Sequence, residues 1–131
     1  MKWAVRQGMP SDFTFIVKTM SSGYYYGNDY LQAIPQDEFM IRFRKFIEQK
    51  LPQVEVRVAC LPDDPDVILG YCLFNGPVLH WIYTKKPWRK FGIARSLLPQ
   101  GVTHVTHLSK LGEKLKPKEW VYNPFIVGEM K

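Results

Sequence analysis

From Asp66 to Glu113 the chain has no acidic residue in between, although 23% of its 131 residues are charged. Lys85, Lys86, Arg89, Lys90, Arg95 and Lys110 stand in that stretch, so the formal net charge of +6 is concentrated there and the remainder is balanced. A local basic patch suits an anionic partner, either a phosphorylated cofactor or nucleic acid. Cysteine is scarce: Cys60 and Cys72 stand in apolar, strand-like runs, with no CxxC spacing and no neighbouring histidine pair. That excludes a disulfide framework and makes both expected buried thiols. No apolar run approaches the ~20 residues that span a bilayer, so no membrane contact is expected. Met1-Lys2-Trp3-Ala4-Val5-Arg6 lacks the apolar segment of an export signal, and the expected location is cytoplasmic. Linker, repeat and low-complexity segments are also absent, which points to one domain over residues 1–131.

Aromatic residues are plentiful at 15%. Residues 2–6 form a short expected strand. Pro10-Ser11-Asp12 is a helix-start signal with Ser11 or Asp12 as N-cap, and Phe13, Ile16, Val17 and Met20 share one helical face. Ser21-Ser22-Gly23 is the expected end of that helix. Tyr24 to Tyr30 then reads as an aromatic loop or short helix. A second helix opens at Pro35, carries Phe39, Phe43, Phe46, Ile47 and Leu51 as a stripe, and closes at Pro52.

Val54 to Cys60 alternates with period two, as a half-buried strand does. Asp63-Asp64-Pro65-Asp66 is a solvated turn between strands rather than a metal site. Val67 to Phe74 is nearly all apolar and reads as a central strand, and Asn75-Gly76-Pro77 turns into the strand Val78 to Tyr83. Three hairpin-linked strands make an antiparallel meander. A helix from Phe91 to Leu98 follows and is cut by Pro99. Val102 to Lys116 fits two readings: a helix carrying Val102, Val105, Leu108, Leu111 and Leu115, or, preferred, a strand through Thr106 parallel to its neighbour with a helix from Ser109. Trp120-Val121-Tyr122 and Phe125-Ile126-Val127 look like late strands. His104 and His107 have metal-like spacing but no third ligand, so no metal is expected.

The chemistry concentrates in Tyr83-Thr84-Lys85-Lys86-Pro87-Trp88-Arg89-Lys90-Phe91-Gly92-Ile93-Ala94-Arg95. A strand ends there in a basic, glycine-bearing turn, and a helix starts. Such a corner aims unsatisfied N–H groups and positive charge at one point, where a phosphate is welcome. Arg89-Lys90-Phe91-Gly92-Ile93-Ala94 also resembles the Arg/Gln-x-x-Gly-x-Gly/Ala motif of the GCN5-related N-acetyltransferases. The element order resembles that family over most of residues 1–122.

The resemblance implies an α+β fold, with a mixed, mostly antiparallel central sheet flanked by helices. It implies transfer of an acetyl group from acetyl-coenzyme A to the amine of an acceptor, by direct attack. Arg89, Lys90, Phe91, Gly92, Ile93, Ala94 and Arg95 would hold the cofactor's diphosphate, and Ile82, Tyr83 and Thr84 its pantetheine arm. His80 stands where the family often places a general base. Tyr122, the one tyrosine after Tyr83, is the candidate acid. Both also read as packed strand residues. The chain departs from the family late on. An Asn-x-x-Ala-x-x-x-Tyr pattern is missing, and residues 116–125 have no counterpart. Two other readings stay open. One is a nucleic-acid-binding or interaction protein using residues 85–95, where Trp88 and Phe91 alternate with cations. The other is an acetyltransferase fold without catalysis.

Overall fold

The computed structural model describes residues 2–126. Ten elements of regular structure organise it, besides short 3-10 turns. In chain order they are β1 (Ala4–Gln7), α1 (Phe13–Tyr26), α2 (Gln36–Lys50), β2 (Glu55–Leu61), β3 (Asp64–Asn75), β4 (Val78–Thr84), α3 (Ile93–Leu97), β5 (His104–Val105), α4 (Lys110–Leu115) and β6 (Val121–Tyr122). The strands form one sheet in that same order. β1 to β4 pair antiparallel, while β4–β5 and β5–β6 pair parallel. The expected fold class, a mixed and mostly antiparallel sheet flanked by helices, is the one found.

Two apolar layers cover the sheet. Ile16, Val17 and Met20 of α1 and Ile47 of α2 pack with Val58, Tyr71, Leu73 and Trp81 on one face. Ile93 and Leu97 of α3 pack with Ala59, Leu69, Cys72, Phe74 and Leu79 on the other. Period-two alternation divides β3 between the layers: Tyr71 and Leu73 face one, Cys72 and Phe74 the other. Cys60 and Cys72 are buried free thiols, as their settings imply. The corner from β1 into α1 is fixed electrostatically. Arg6 donates to both carboxylate oxygens of Asp12 at 2.8 and 2.9 Å, and the Met9 amide donates to the same carboxylate at 2.7 Å.

α1 does not stop at Ser21-Ser22-Gly23 but runs on to Tyr26. A Cβ on Gly23 would stand 3.2 Å from the Trp81 ring, so the glycine lets the helix pass close over β4. Packing overrides a sequence that would end a free helix. α3 is shorter than the expected Phe91–Leu98, because Gly92 is left-handed at φ +93° and Leu98 is already extended. β5 keeps only His104 and Val105 of the expected Val102–Thr106 strand, and it is parallel to β4 as read. Ser109 caps α4 by accepting from the Gly112 amide at 3.1 Å.

Val121–Tyr122 is the late strand. Pro124–Ile126 is a 3-10 turn instead of a second one, since Pro124 offers no N–H and Asn123 accepts the Phe125 amide at 3.0 Å. Val127 lies outside the described residues. No helix among the described residues is long and apolar enough to cross a membrane.

Candidate functional site

β4 has a neighbour on both sides only at its start. β5 pairs with Val78 and Leu79, the Thr106 amide donates to the Leu79 carbonyl at 3.0 Å, and the chain then leaves for α4. Ile82, Tyr83 and Thr84 pair with β3 alone. The sheet therefore opens as a wedge, and along this segment the β4 edge facing β5 has no strand beside it. Such an edge can hydrogen-bond an extended, amide-bearing ligand.

The wedge leads straight to the basic turn. The Lys85 amide donates to the Leu69 carbonyl at 2.8 Å, and a 3-10 turn over Lys86–Trp88 follows. Lys90 and Gly92 both have positive φ, +73° and +93°. Left-handed conformation is uncommon for lysine and natural for glycine. Alternating handedness gathers successive amides on one side, making an anion-binding concavity. The N–H groups of residues 90–95 have no hydrogen-bond partner among the described residues. An open recess of about 560 Å³ lies there, lined by Thr84, Trp88, Arg89, Lys90, Phe91, Gly92, Ile93, Ala94 and Arg95.

Arg89, Lys90 and Arg95 are exposed around it. Arg89 also donates through Nε to the Thr84 carbonyl at 3.0 Å, which ties the turn to the end of β4. Lys85 is turned elsewhere, its ammonium 5.4 Å from the Phe15 ring centre. The motif residues expected to hold a diphosphate are thus brought together in one concavity, continuous with the end of β4. Beneath the loop lies Trp3, which the sequence reading left out. Its indole N–H donates to Ser96 Oγ at 3.0 Å, Ser96 Oγ donates to the Ile93 carbonyl at 2.6 Å, and the ring lies 3.8 Å from where a Gly92 Cβ would be. A tryptophan beside the first strand carries no local mark of such a role.

His80 sits inside the sheet. Strand pairing jumps from Leu73–Trp81 to Phe74–Leu79, so His80 is the extra residue of a β-bulge. The bulge turns the ring inward, where it is 2% exposed. Nε2 lies 2.7 Å from Asn75 Oδ1 and Nδ1 lies 3.0 Å from Thr106 Oγ1, so both nitrogens are engaged. Burial holds its pKa down at about 4. Both ring nitrogens of His80 are thus occupied inside the sheet, the packed strand setting that its sequence position also allows.

Tyr122 lies elsewhere, on the outermost strand. It is 47% exposed, and burial followed by the nearby Tyr30 raises its pKa. It remains a proton carrier at neutral pH. His104 and His107 do not converge. His104 Nδ1 meets its neighbour Thr103 Oγ1 at 2.7 Å, while His107 is buried with Nδ1 at 3.0 Å from Thr106 Oγ1.

No protein-family model and no curated protein matches the sequence. Solved structures match its shape. A Pyrococcus furiosus structure named "Putative acetyl transferase" superposes with a TM-score of 0.61 at 17% identity, over 93% of this chain and 82% of that one. A GCN5-related N-acetyltransferase from Rhodopseudomonas palustris gives 0.54 at 14% identity, over 74% of this chain and 61% of that one. The apo form of YjaB from Escherichia coli gives 0.56 at 20% identity, over 74% of this chain and 62% of that one. The chain thus spans less than two thirds of the last two proteins. At these identities the likeness is one of fold.

Proposed function

We propose that this chain, which has the fold of the GCN5-related N-acetyltransferases, binds acetyl-coenzyme A and transfers its acetyl group to an amine. The observation that carries the reading is the set of unpartnered N–H groups of residues 90–95, at the mouth of the wedge beside β4. The amides and the exposed Arg89, Lys90 and Arg95 would take the diphosphate, with Phe91, Ile93 and Ala94 completing the loop. The free edge of Ile82, Tyr83 and Thr84 would pair with the amides of the pantetheine arm and aim the thioester carbon at the acceptor. The amine nitrogen attacks that carbon, an N–C bond forms and the C–S bond breaks. The amine gives up a proton to solvent, and the leaving thiolate receives one, for which Tyr122 is the proposed donor. A cytoplasmic location and a single domain over residues 1–131 belong to the same proposal.

Calorimetric titration of the full chain with acetyl-coenzyme A is the test. We expect saturable binding, with an affinity lowered at least tenfold by Gly92→Glu, which puts a side chain at φ +93° and a carboxylate against the diphosphate. Absence of heat and of any thermal shift at millimolar ligand would sink the reading. Binding of single-stranded oligonucleotides that survives Gly92→Glu would favour nucleic-acid recognition by the same cations instead.

A further inference from the structure

A second recess, of about 170 Å³, lies between the turn after α1, the α4 segment and β6, lined by Asn28, Tyr30, Leu108, Glu113, Lys116 and Tyr122. Its walls are tied together. Asn28 Nδ2 donates to the carbonyls of Tyr24 at 3.1 Å and Leu108 at 2.9 Å, and the Lys110 amide donates to the Gly27 carbonyl at 3.0 Å.

Two lysines stand around it: Lys110 pairs with Asp29 at 2.7 Å, and the Lys116 ammonium, which keeps its positive charge, is drawn to the Trp120 carbonyl at 3.2 Å. Glu113 is the one carboxylate lining the recess, and it has no ion pair among the described residues. It lies near enough to Tyr122 to raise that hydroxyl's pKa. Tyr30 is 62% exposed and Tyr122 47%, two large rings left open where core packing would have covered them. The Tyr24 hydroxyl is close enough to both to feel them. On its other side the Tyr24 ring stands 6.0 Å from Trp81 of β4 and 5.1 Å from His107. Tyr24 therefore stands between the recess tyrosines and Trp81 of β4.

Phenol rings beside an unpaired carboxylate attract an alkylammonium group, through the ring faces and through charge-assisted hydrogen bonds. An open recess of this size has room for one flexible alkylamine arm. We infer that this recess binds the primary alkylammonium group of the acceptor, a lysine side chain or a free alkylamine, with Glu113 as counter-ion and Tyr30 and Tyr122 as aromatic walls. Calling the ligand the acceptor rests on the acetyl-transfer reading; the binding itself does not.

Tyrosine-labelled full chain, titrated with 1-aminopentane and with 1-pentanol and followed by ring NMR shifts, tests it. The amine should shift Tyr30 and Tyr122 saturably, and the alcohol should bind at least tenfold more weakly. Glu113→Gln should weaken the amine at least tenfold, and Tyr30→Leu should weaken it as well. Both side chains are exposed, so neither change threatens folding. A third titration with Nα-acetyl-lysine amide separates the two sources, since tenfold tighter binding than 1-aminopentane identifies a peptide-borne lysine. Equal binding of amine and alcohol, indifference to Glu113→Gln, or shifts confined to other tyrosines would overturn the inference. Acetyl-coenzyme A added to the same samples keeps the two proposals apart. Cofactor binding without amine binding removes only this site. Amine binding without cofactor binding removes the acetyltransferase and leaves an ammonium site.

Discussion

Thr106 links two buried histidines. Asn75 Nδ2 donates to the Gln53 carbonyl at 3.0 Å, which leaves Asn75 Oδ1 to accept from His80 Nε2. His80 Nδ1 is then an acceptor, served by the Thr106 hydroxyl, and the Thr106 oxygen accepts in turn from His107 Nδ1. Every hydrogen bond in this chain runs one way with both rings neutral. A proton added to His80 would set N–H against O–H at Thr106. Burial holds the pKa of each ring at about 4, against an ordinary 6.5.

The unfolded chain takes these protons first, so stability is full above pH ~6.5, falls as the pH drops toward ~4, and levels off below. The loss is up to roughly 3 kcal/mol per histidine. Asp12, held below the usual carboxylate range by the Arg6 hydrogen bonds, adds a further loss as the pH falls through its own lowered pKa. Urea midpoints measured from pH 7.5 to 4 should decline along this course, and a flat profile would contradict it. His80→Ala leaves Asn75 and Thr106 facing a hole and should cost about 2–4 kcal/mol by the same measurement. The residue type and strand position of His80 were readable in the sequence. The bulge that turned it inward was not, because strand alternation gives no sign of an inserted residue.

At the level of elements, the corner between β4 and α3 is held from below. Ser96 links the Trp3 indole to the first turn of a helix only five residues long. So short a helix has little stability of its own, and the loop geometry depends on this prop. Trp3→Phe keeps an aromatic ring, a smaller one, and deletes the donor. We expect it to weaken acetyl-coenzyme A binding three- to tenfold while leaving the urea midpoint nearly unchanged, and Ser96→Ala should match it. Loss of stability with affinity intact would show that the pair serves packing alone.

The corner itself was legible because strand, basic turn, glycine and apolar helix follow one another within a few residues. Trp3 stands 93 residues from Ser96, and no local pattern links them. The same distance effect explains α1. Its second half runs on across Gly23 because Trp81 lies beneath it, a contact invisible along the chain.

Over the whole molecule, the meander and its two layers were readable, because hairpin turns and period-two alternation are local signals. The late strands were placed but not sized, since β5 and β6 shrink to two residues each and are held by parallel pairing rather than by a pattern of their own, and the second late strand read at Phe125 is a 3-10 turn. Charge distribution is another whole-molecule property, and it makes the two uses of the basic patch separable. Between 50 and 200 mM salt, acetyl-coenzyme A affinity should fall less than about tenfold, since one compact anion meets a few cations. Binding of a single-stranded oligonucleotide through six or more phosphate contacts would fall about three hundredfold or more.

The wedge beside β4 has a consequence for exchange with solvent. In most sheets the interior strands hold their amide protons longest. Here the amides of residues 81–84 that point away from β3 belong to a strand third from the edge, yet they have no strand to shelter them. In heavy water they should lose protons at rates ordinarily seen in loops, an open seam through the middle of a protected sheet. A ligand lying along that seam would act as the absent strand, and the same protons should then slow toward the rates of β3.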